Sequence, residues 1–344
     1  MTRTHPRRPV PRAPWRLPAA AVLTLGALAL AACGGQPTAD SSDAVGQPAE
    51  GTVAYPLTLE NCGHALTFDA PPERVLLLHS APVTAFAALG ILDRVTARAG
   101  AFPSAYYDAD TEAALEEIPS LTEQVDASGH YEISEEAVIA EAPDLVMGAT
   151  DGVTREGLAD AGIPQLIVPS QCPGATDSPG FADVSDLVTS YGEIFDRPEA
   201  AAAYSAALAE RVAEIDAATT RETRTAAALY PTIGGAVGYA YGNVSMAHPQ
   251  LEAAGFTNVF GEVDERVFEV SIEELLDRDP DVLVLLHIDG DPEEVEAHIR
   301  SLPGAETLTA VTDDALLTQL FNFSEPPTPL VIDGLAHIVE AFAE

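Results

Sequence analysis

Apolar positions in this chain follow two alternating periods. Arg74-Val75-Leu76-Leu77-Leu78-His79 holds a short unbroken apolar run at 75–78, which suits a strand covered on both faces. Residues 83–89 follow with helical spacing and stop at Gly90. Residues 133–142 are again apolar at helical spacing, and Pro143-Asp144 then introduces the run Leu145-Val146-Met147. Gly162-Ile163-Pro164 leads into a further run at 165–168. Short buried strands alternating with helices predict a parallel sheet with helices on its faces.

The second half repeats the scheme. A strand is predicted at 225–230, a helix at 247–254 ending at Gly255, a helix at 271–278, and a strand at 282–286 after Pro280-Asp281. Ser134-x-Glu136 precedes Pro143-Asp144 at the same spacing as Ser271-x-Glu273 precedes Pro280-Asp281. Two related lobes are the natural source of that repeat. Between them, 183–220 is helical in pattern and rich in alanine, with Asp196-Arg197-Pro198 as the place where it would break. Residues 329–344 read as a closing amphipathic helix. The expected fold is therefore α/β, with two lobes that each hold a mainly parallel sheet flanked by helices. A single long connecting helix would join them and make large hinge closure less expected. The N-terminal lobe would be 53–182, the connecting helix 183–220 and the C-terminal lobe 221–344.

The start of the chain breaks the pattern. Arg3, Arg7, Arg8, Arg12 and Arg16 form a basic stretch without acids, and 17–32 is uncharged, apolar and too short to span a membrane. This is the layout of an export signal. Its end, Leu30-Ala31-Ala32-Cys33-Gly34, resembles a bacterial lipoprotein cleavage box, which implies lipidation of Cys33 and a protein anchored to the outer face of the cytoplasmic membrane. Residues 33–52 offer almost nothing to bury and read as a flexible tether. Cys62 and Cys172 remain, and in an oxidising compartment a disulfide between them is favoured over two separate buried thiols.

Charge narrows the function. The chain carries 54 Asp+Glu against 16 Lys+Arg, every one of the latter an arginine, for a formal charge of −38. Cleavage after Ala32 would remove five arginines and no acid, taking the charge to −43, and would also remove Trp15, the one tryptophan. Such a surface repels phosphate, so nucleic acid is not an expected partner. A hydrophobic content of 47 % excludes wholesale disorder. A secreted hydrolase would need a catalytic constellation, but there is no GxSxG elbow, and a Ser-x-x-Lys motif is impossible without lysine. Paired acids such as Glu116-Glu117 read more simply as solvated faces. The chain is thus not expected to be an enzyme, nor a structural adhesin, which would have no need of a pocket between lobes.

Tyr55-Pro56-Leu57-Thr58-Leu59-Glu60-Asn61-Cys62-Gly63, followed by Thr67-Phe68-Asp69-Ala70-Pro71-Pro72-Glu73-Arg74-Val75, resembles the opening of solute-binding lipoproteins for ferric siderophores. Ala254-Gly255-Phe256-Thr257-Asn258-Val259 and the two Glu-x6-Pro-Asp units are similar to the same family, which includes cobalamin and haem receptors. The likeness spans residues 55–344. It implies a bilobed, monomeric receptor that holds a bulky chelate between its lobes and hands it to the permease of an ABC importer. Glu136 and Glu273 would dock on that permease, one from each lobe. One departure bears on the ligand: after the first strand, Ser80-Ala81-Pro82-Val83-Thr84-Ala85 lacks the Thr-Glu that often ends this run in the family.

Ligands of parallel sheets sit past the carboxyl ends of the strands. That rule selects His79, Ser80, Tyr106, Tyr107 and Tyr131 in the first lobe. In the second it selects Tyr239, Tyr241, Asn243 and Arg266, with Phe321 and Phe323 from a late loop. Aromatic side chains offer broad contact to a large chelate at modest entropic cost. The expected ligand is a ferric siderophore of hydroxamate type; cobalamin, haem or another bulky cofactor is the alternative. A bare metal ion is less expected, because His64, His79, His130, His248, His287, His298 and His337 lie singly, with none paired at metal-ligand spacing. No cofactor beyond the lipid is expected.

Overall fold

The computed structural model describes residues 53–122, 132–219, 224–235, 238–288 and 290–342. The export signal, Cys33, the tether, His130 and Tyr131 lie outside the described residues.

The described chain opens with an antiparallel hairpin, β1 (Leu57–Asn61) and β2 (His64–Phe68). The first lobe is built on β3 (Val75–Leu77), β4 (Val95–Arg98), β5 (Leu145–Met147) and β6 (Gln165–Leu166), all parallel, in the order β4-β3-β5-β6. The second lobe has β7 (Thr225–Pro231), β8 (Gly238–Tyr241), β9 (Thr257–Asn258), β10 (Val267–Val270), β11 (Val282–His287) and β12 (Leu316–Leu320). Its order is β10-β8-β7-β11-β12, with β9 also pairing β7. Strands β9, β7, β11 and β12 run parallel, whereas β8 and β10 pair antiparallel at one edge.

Both faces of each sheet are covered, which explains the unbroken apolar runs. In the first lobe Val75 and Leu77 join one core, with Phe86, Met147 and Tyr191, while Leu76 and Leu78 join another, with Val146 and Val138. In the second, Leu283 and Leu285 face one side of β11 and Val282, Val284 and Leu286 the other. The two-residue period of a strand thus survives inside runs that look uniform.

The connecting segment is two helices, Phe181–Ile194 and Pro198–Ala218, and not one rod. The break falls at Asp196-Arg197-Pro198. Asp196 adopts φ +54°, and Pro198, lacking an N–H, can only start the next helix. The two helices pack against each other, with Ser205 donating to the Ser185 carbonyl at 3.4 Å. Gly192 makes this possible, because a Cβ there would lie 2.3 Å from the Ala201 Cβ. The pair buries Val184, Leu187, Tyr191, Ala201 and Leu208 in the first-lobe core. The closing helix, Leu330–Phe342, touches both lobes: Val331 and Ile332 enter the first core, Leu335 and Ile338 the second.

Candidate functional site

Between the lobes lies a cleft of about 700 Å³. Its walls are the segments that leave the carboxyl ends of parallel strands: His79 and Ser80 after β3, Ser170 and Gln171 after β6, Ile288 after β11, and Phe321 and Asn322 after β12. Tyr106, Asp151, Cys172, Arg266 and Pro326 are also among the lining residues.

The two sides are tied across the cleft floor. The buried Asn322 donates its backbone N–H to the Tyr106 hydroxyl at 2.9 Å and its Nδ2 to Ser80 Oγ at 2.9 Å. Below these bonds Tyr106 packs edge-on to Phe323, centroids 5.1 Å apart. Gly334 lets this loop sit down on the closing helix, since any Cβ there would strike the Phe323 carbonyl. Gln250 holds the loop from the other side, donating to the carbonyls of Phe323 and Val331 at 2.6 and 2.7 Å.

His79 is a neutral imidazole. Its Nδ1 accepts from the Ala81 N–H at 3.3 Å, its Nε2 is buried without a hydrogen-bond partner, and burial pulls its pKa down to about 4. The ring packs over Gly148, where a Cβ would come within 2.2 Å of it. Arg266 reaches Glu325 Oε2 at 3.4 Å. Glu325 is fully buried, and its Oε1 accepts the Met246 N–H at 2.5 Å. Burial pushes this carboxyl up, opposed by Arg266 and by the backbone N–H groups of Met246 and Ala247.

Of the residues the sequence selects, His79, Ser80, Tyr106, Arg266 and Phe321 line the cleft. Tyr107 packs behind Tyr106, centroids 5.9 Å apart, and burial raises its pKa. Phe323 is core, packed edge-on between Tyr106 and His337. Tyr239, Tyr241 and Asn243 are not lining residues; for Tyr241 and Asn243 the reason is that β8 runs antiparallel to β7. Only its first residues approach the carboxyl ends of the parallel strands. Tyr239 is 40 % exposed, Tyr241 is buried, and Asn243 donates to Asp264 Oδ1 at 2.7 Å and to the Gly261 carbonyl at 3.2 Å. The carboxyl-end rule, applied to β6 and β11, would also have found Ser170, Gln171 and Ile288. Asn322 carried no signal beyond its place between two phenylalanines.

Cys62 and Cys172 form a disulfide, Cα–Cα 5.2 Å, that fastens the cleft segment to the β1–β2 turn. Among the described residues no group of three or more His, Cys, Asp or Glu is placed to hold a metal ion.

The sequence model described as "periplasmic binding protein" matches residues 75–317. The chain belongs to that family. Among solved structures, one titled as an ABC-type Fe3+-hydroxamate transport system from Saccharomonospora viridis is 59 % identical. The match covers 85 % of this chain and 100 % of that one, with a TM-score of 0.82. The periplasmic vitamin B12 binding protein of Vibrio cholerae shares the fold at 16 % identity, TM-score 0.58, over 79 % of this chain and 96 % of its own. A periplasmic haem binding protein from Pseudomonas aeruginosa does so at 20 % identity, TM-score 0.62, over 79 % and 92 %. No curated protein matches.

Proposed function

We propose that this family member is an extracytoplasmic receptor that captures a ferric hydroxamate siderophore in the cleft and delivers it to the permease of an ABC importer, binding its cargo without turning it over. The observation that carries the reading is the 59 % identity, over 85 % of this chain and 100 % of the other, to a protein titled for Fe3+-hydroxamate transport. The cleft chemistry supports it. About 700 Å³ suits a bulky ligand, and Gln171 and Arg266 offer hydrogen-bond donors to an oxygen-rich surface. In this reading Tyr106 and Phe321 supply apolar contact.

Glu136 and Glu273 would meet the permease, and both are exposed. Each sits at the second position of a helix, Glu135–Ala140 or Ile272–Arg278, whose preceding serine accepts the N–H of the third. Their neighbours are engaged within the fold: Glu135 accepts from Thr154, and Glu274 pairs with Arg278 at 3.4 Å. The receptor would be a monomer held at the membrane by lipid on Cys33, and Cys33→Ala should release it into the soluble fraction. No helix among the described residues is long and apolar enough to cross a membrane.

Titration of the mature protein by tyrosine fluorescence quenching tests the ligand, with a ferric trihydroxamate, a ferric tris-catecholate, haem and cobalamin as arms. Tightest binding of the trihydroxamate is expected, and tighter binding of any other arm refutes the ligand assignment.

A further inference from the structure

One buried acid outside the cleft lining touches the arginine within it. Among the described lining residues Arg266 is the one arginine, and the other formally charged side chain, Asp151, is an acid. Behind Arg266 stands Glu325, with no exposed side-chain area. Its Oε1 accepts a backbone N–H from the start of the helix Ala247–Ala253, and its Oε2 lies against the guanidinium. Burial alone would favour the neutral acid, but the hydrogen bonds to this carboxylate all come from donors, an arrangement matched to its ionised form. Arg266 itself is 31 % exposed, so the side of the guanidinium turned from Glu325 is open to the cleft.

A lone arginine in a partly desolvated cleft would draw anions. The same arginine beside a buried carboxylate presents N–H donors with almost no net charge. We propose that Glu325 is the positioning residue that cancels the charge of Arg266 and turns its remaining donors to the ligand, so that the site selects oxygen-rich chelates without net negative charge over anionic ones. This inference deepens the receptor reading and rests on it.

Three proteins decide the matter: wild type, Glu325→Gln, and the double variant Glu325→Gln/Arg266→Gln. Each is titrated by tyrosine quenching with a neutral ferric trihydroxamate and an anionic ferric tris-catecholate, at low and high salt. Wild type should prefer the neutral chelate. In Glu325→Gln the neutral-to-anionic affinity ratio should fall by on the order of tenfold or more, the gained anion affinity fading at high salt. In the double variant, again free of net charge at the pair, the ratio should return to within about threefold of wild type, any lost affinity being shared by both chelates. A merely structural Glu325 would weaken both chelates alike in the single variant, and that result overturns the inference. If the single variant does not fold, the double variant still decides. An uncompensated Arg266 in wild type predicts that removing it raises the ratio about tenfold or more, and that outcome also overturns the proposal. Wild type that binds neither chelate sinks the receptor reading and this inference with it. Binding with an unaltered ratio in Glu325→Gln sinks the inference alone.

Discussion

Cutting the Cys62–Cys172 disulfide should cost stability without reshaping the cleft. The bond closes a sequence separation of 110 residues. On the chain-entropy model, a loop of that size removes about 16 cal/mol/K from the unfolded ensemble, or about 4.8 kcal/mol at 25 °C. The folded side has a second fastening at the same junction. Asn61, next to Cys62, donates Nδ2 to the Ile167 carbonyl at 2.7 Å, and its Oδ1 accepts from the Ile167 N–H at 3.0 Å and from Arg155 at 2.9 Å. These three bonds keep the hairpin against the cleft segment when the sulfurs part. For a folded unit of roughly 290 residues the unfolding entropy is about 0.6 kcal/mol/K, so the melting temperature should drop by about 8 °C. Calorimetry of Cys62→Ala/Cys172→Ala, and of wild type with and without a phosphine reductant, measures the drop; ligand titration at 25 °C checks the cleft. A shift below about 2 °C, with full reduction verified by thiol counting, would falsify the loop-closure argument. Lost binding in a folded variant would show that the bond shapes the wall bearing Cys172.

Three other outcomes are expected. Gly148→Ala places a Cβ 2.2 Å from the His79 ring at φ +97°, so it should cost at least about 2 kcal/mol in urea unfolding and weaken ligand binding. Gly162→Ala, at φ +74° in open space, should cost only about 1 kcal/mol, and equal losses at the two sites would defeat the clash argument. His79, neutral in the fold to about pH 4 against 6.5 for the free ring, takes its proton more readily when unfolded. Its contribution is therefore complete above about pH 6.5 and is lost as pH falls toward 4, amounting to about 3 kcal/mol. His79→Gln should flatten that part of the pH–stability curve, and an unchanged acid limb rules the effect out. Glu136→Ala/Glu273→Ala should leave melting temperature and ligand affinity nearly unchanged while uptake falls sharply; normal uptake at wild-type protein level would refute the docking assignment.

What was legible in the sequence was what depends on local pattern. The apolar runs at 75–78 and 282–286 reported doubly covered strands because a strand buried on both faces cannot alternate. The break at Asp196-Arg197-Pro198 was visible, but its consequence was not. Whether a helix kinks or doubles back depends on the packing across the break, here Gly192 against Ala201. The cleft followed the same division. His79, Ser80 and Phe321 come just past strand ends and line the cleft. Tyr241 and Asn243 were misplaced because one antiparallel strand, β8, reverses the end at which a residue emerges, and nothing in Gly238-Tyr239-Ala240-Tyr241 declares its direction. Glu325 went unnoticed because an acid beside two prolines reads as loop. Its meaning lies in Arg266 and Met246, which the chain brings to it from 59 and 79 residues away.

The internal repeat can now be divided by the work each residue does. Ser134 and Ser271 cap their helices. Ala142 and Asp279, just before the prolines, take positive φ, 48° and 40°, where each helix ends. Asp144 accepts the N–H groups of Glu73 and Arg74 at 2.8 and 2.9 Å, pinning the entry to β3; Asp281 accepts the Thr225 N–H at 2.6 Å, pinning the entry to β7. Serine and aspartate in the repeat are thus explained by hydrogen bonds inside the lobe that holds them, and proline by the turn it begins. The glutamate is the exception. An acid near a helix start gains about 0.3–1 kcal/mol from the helix dipole, yet Glu135 and Glu274 already stand in those first turns and supply it. Folding therefore gives little reason for a second acid at the same exposed position in both lobes. A partner with two matching cationic surfaces does give one, and rim charges of this kind govern association rate and salt sensitivity while leaving the fold almost untouched.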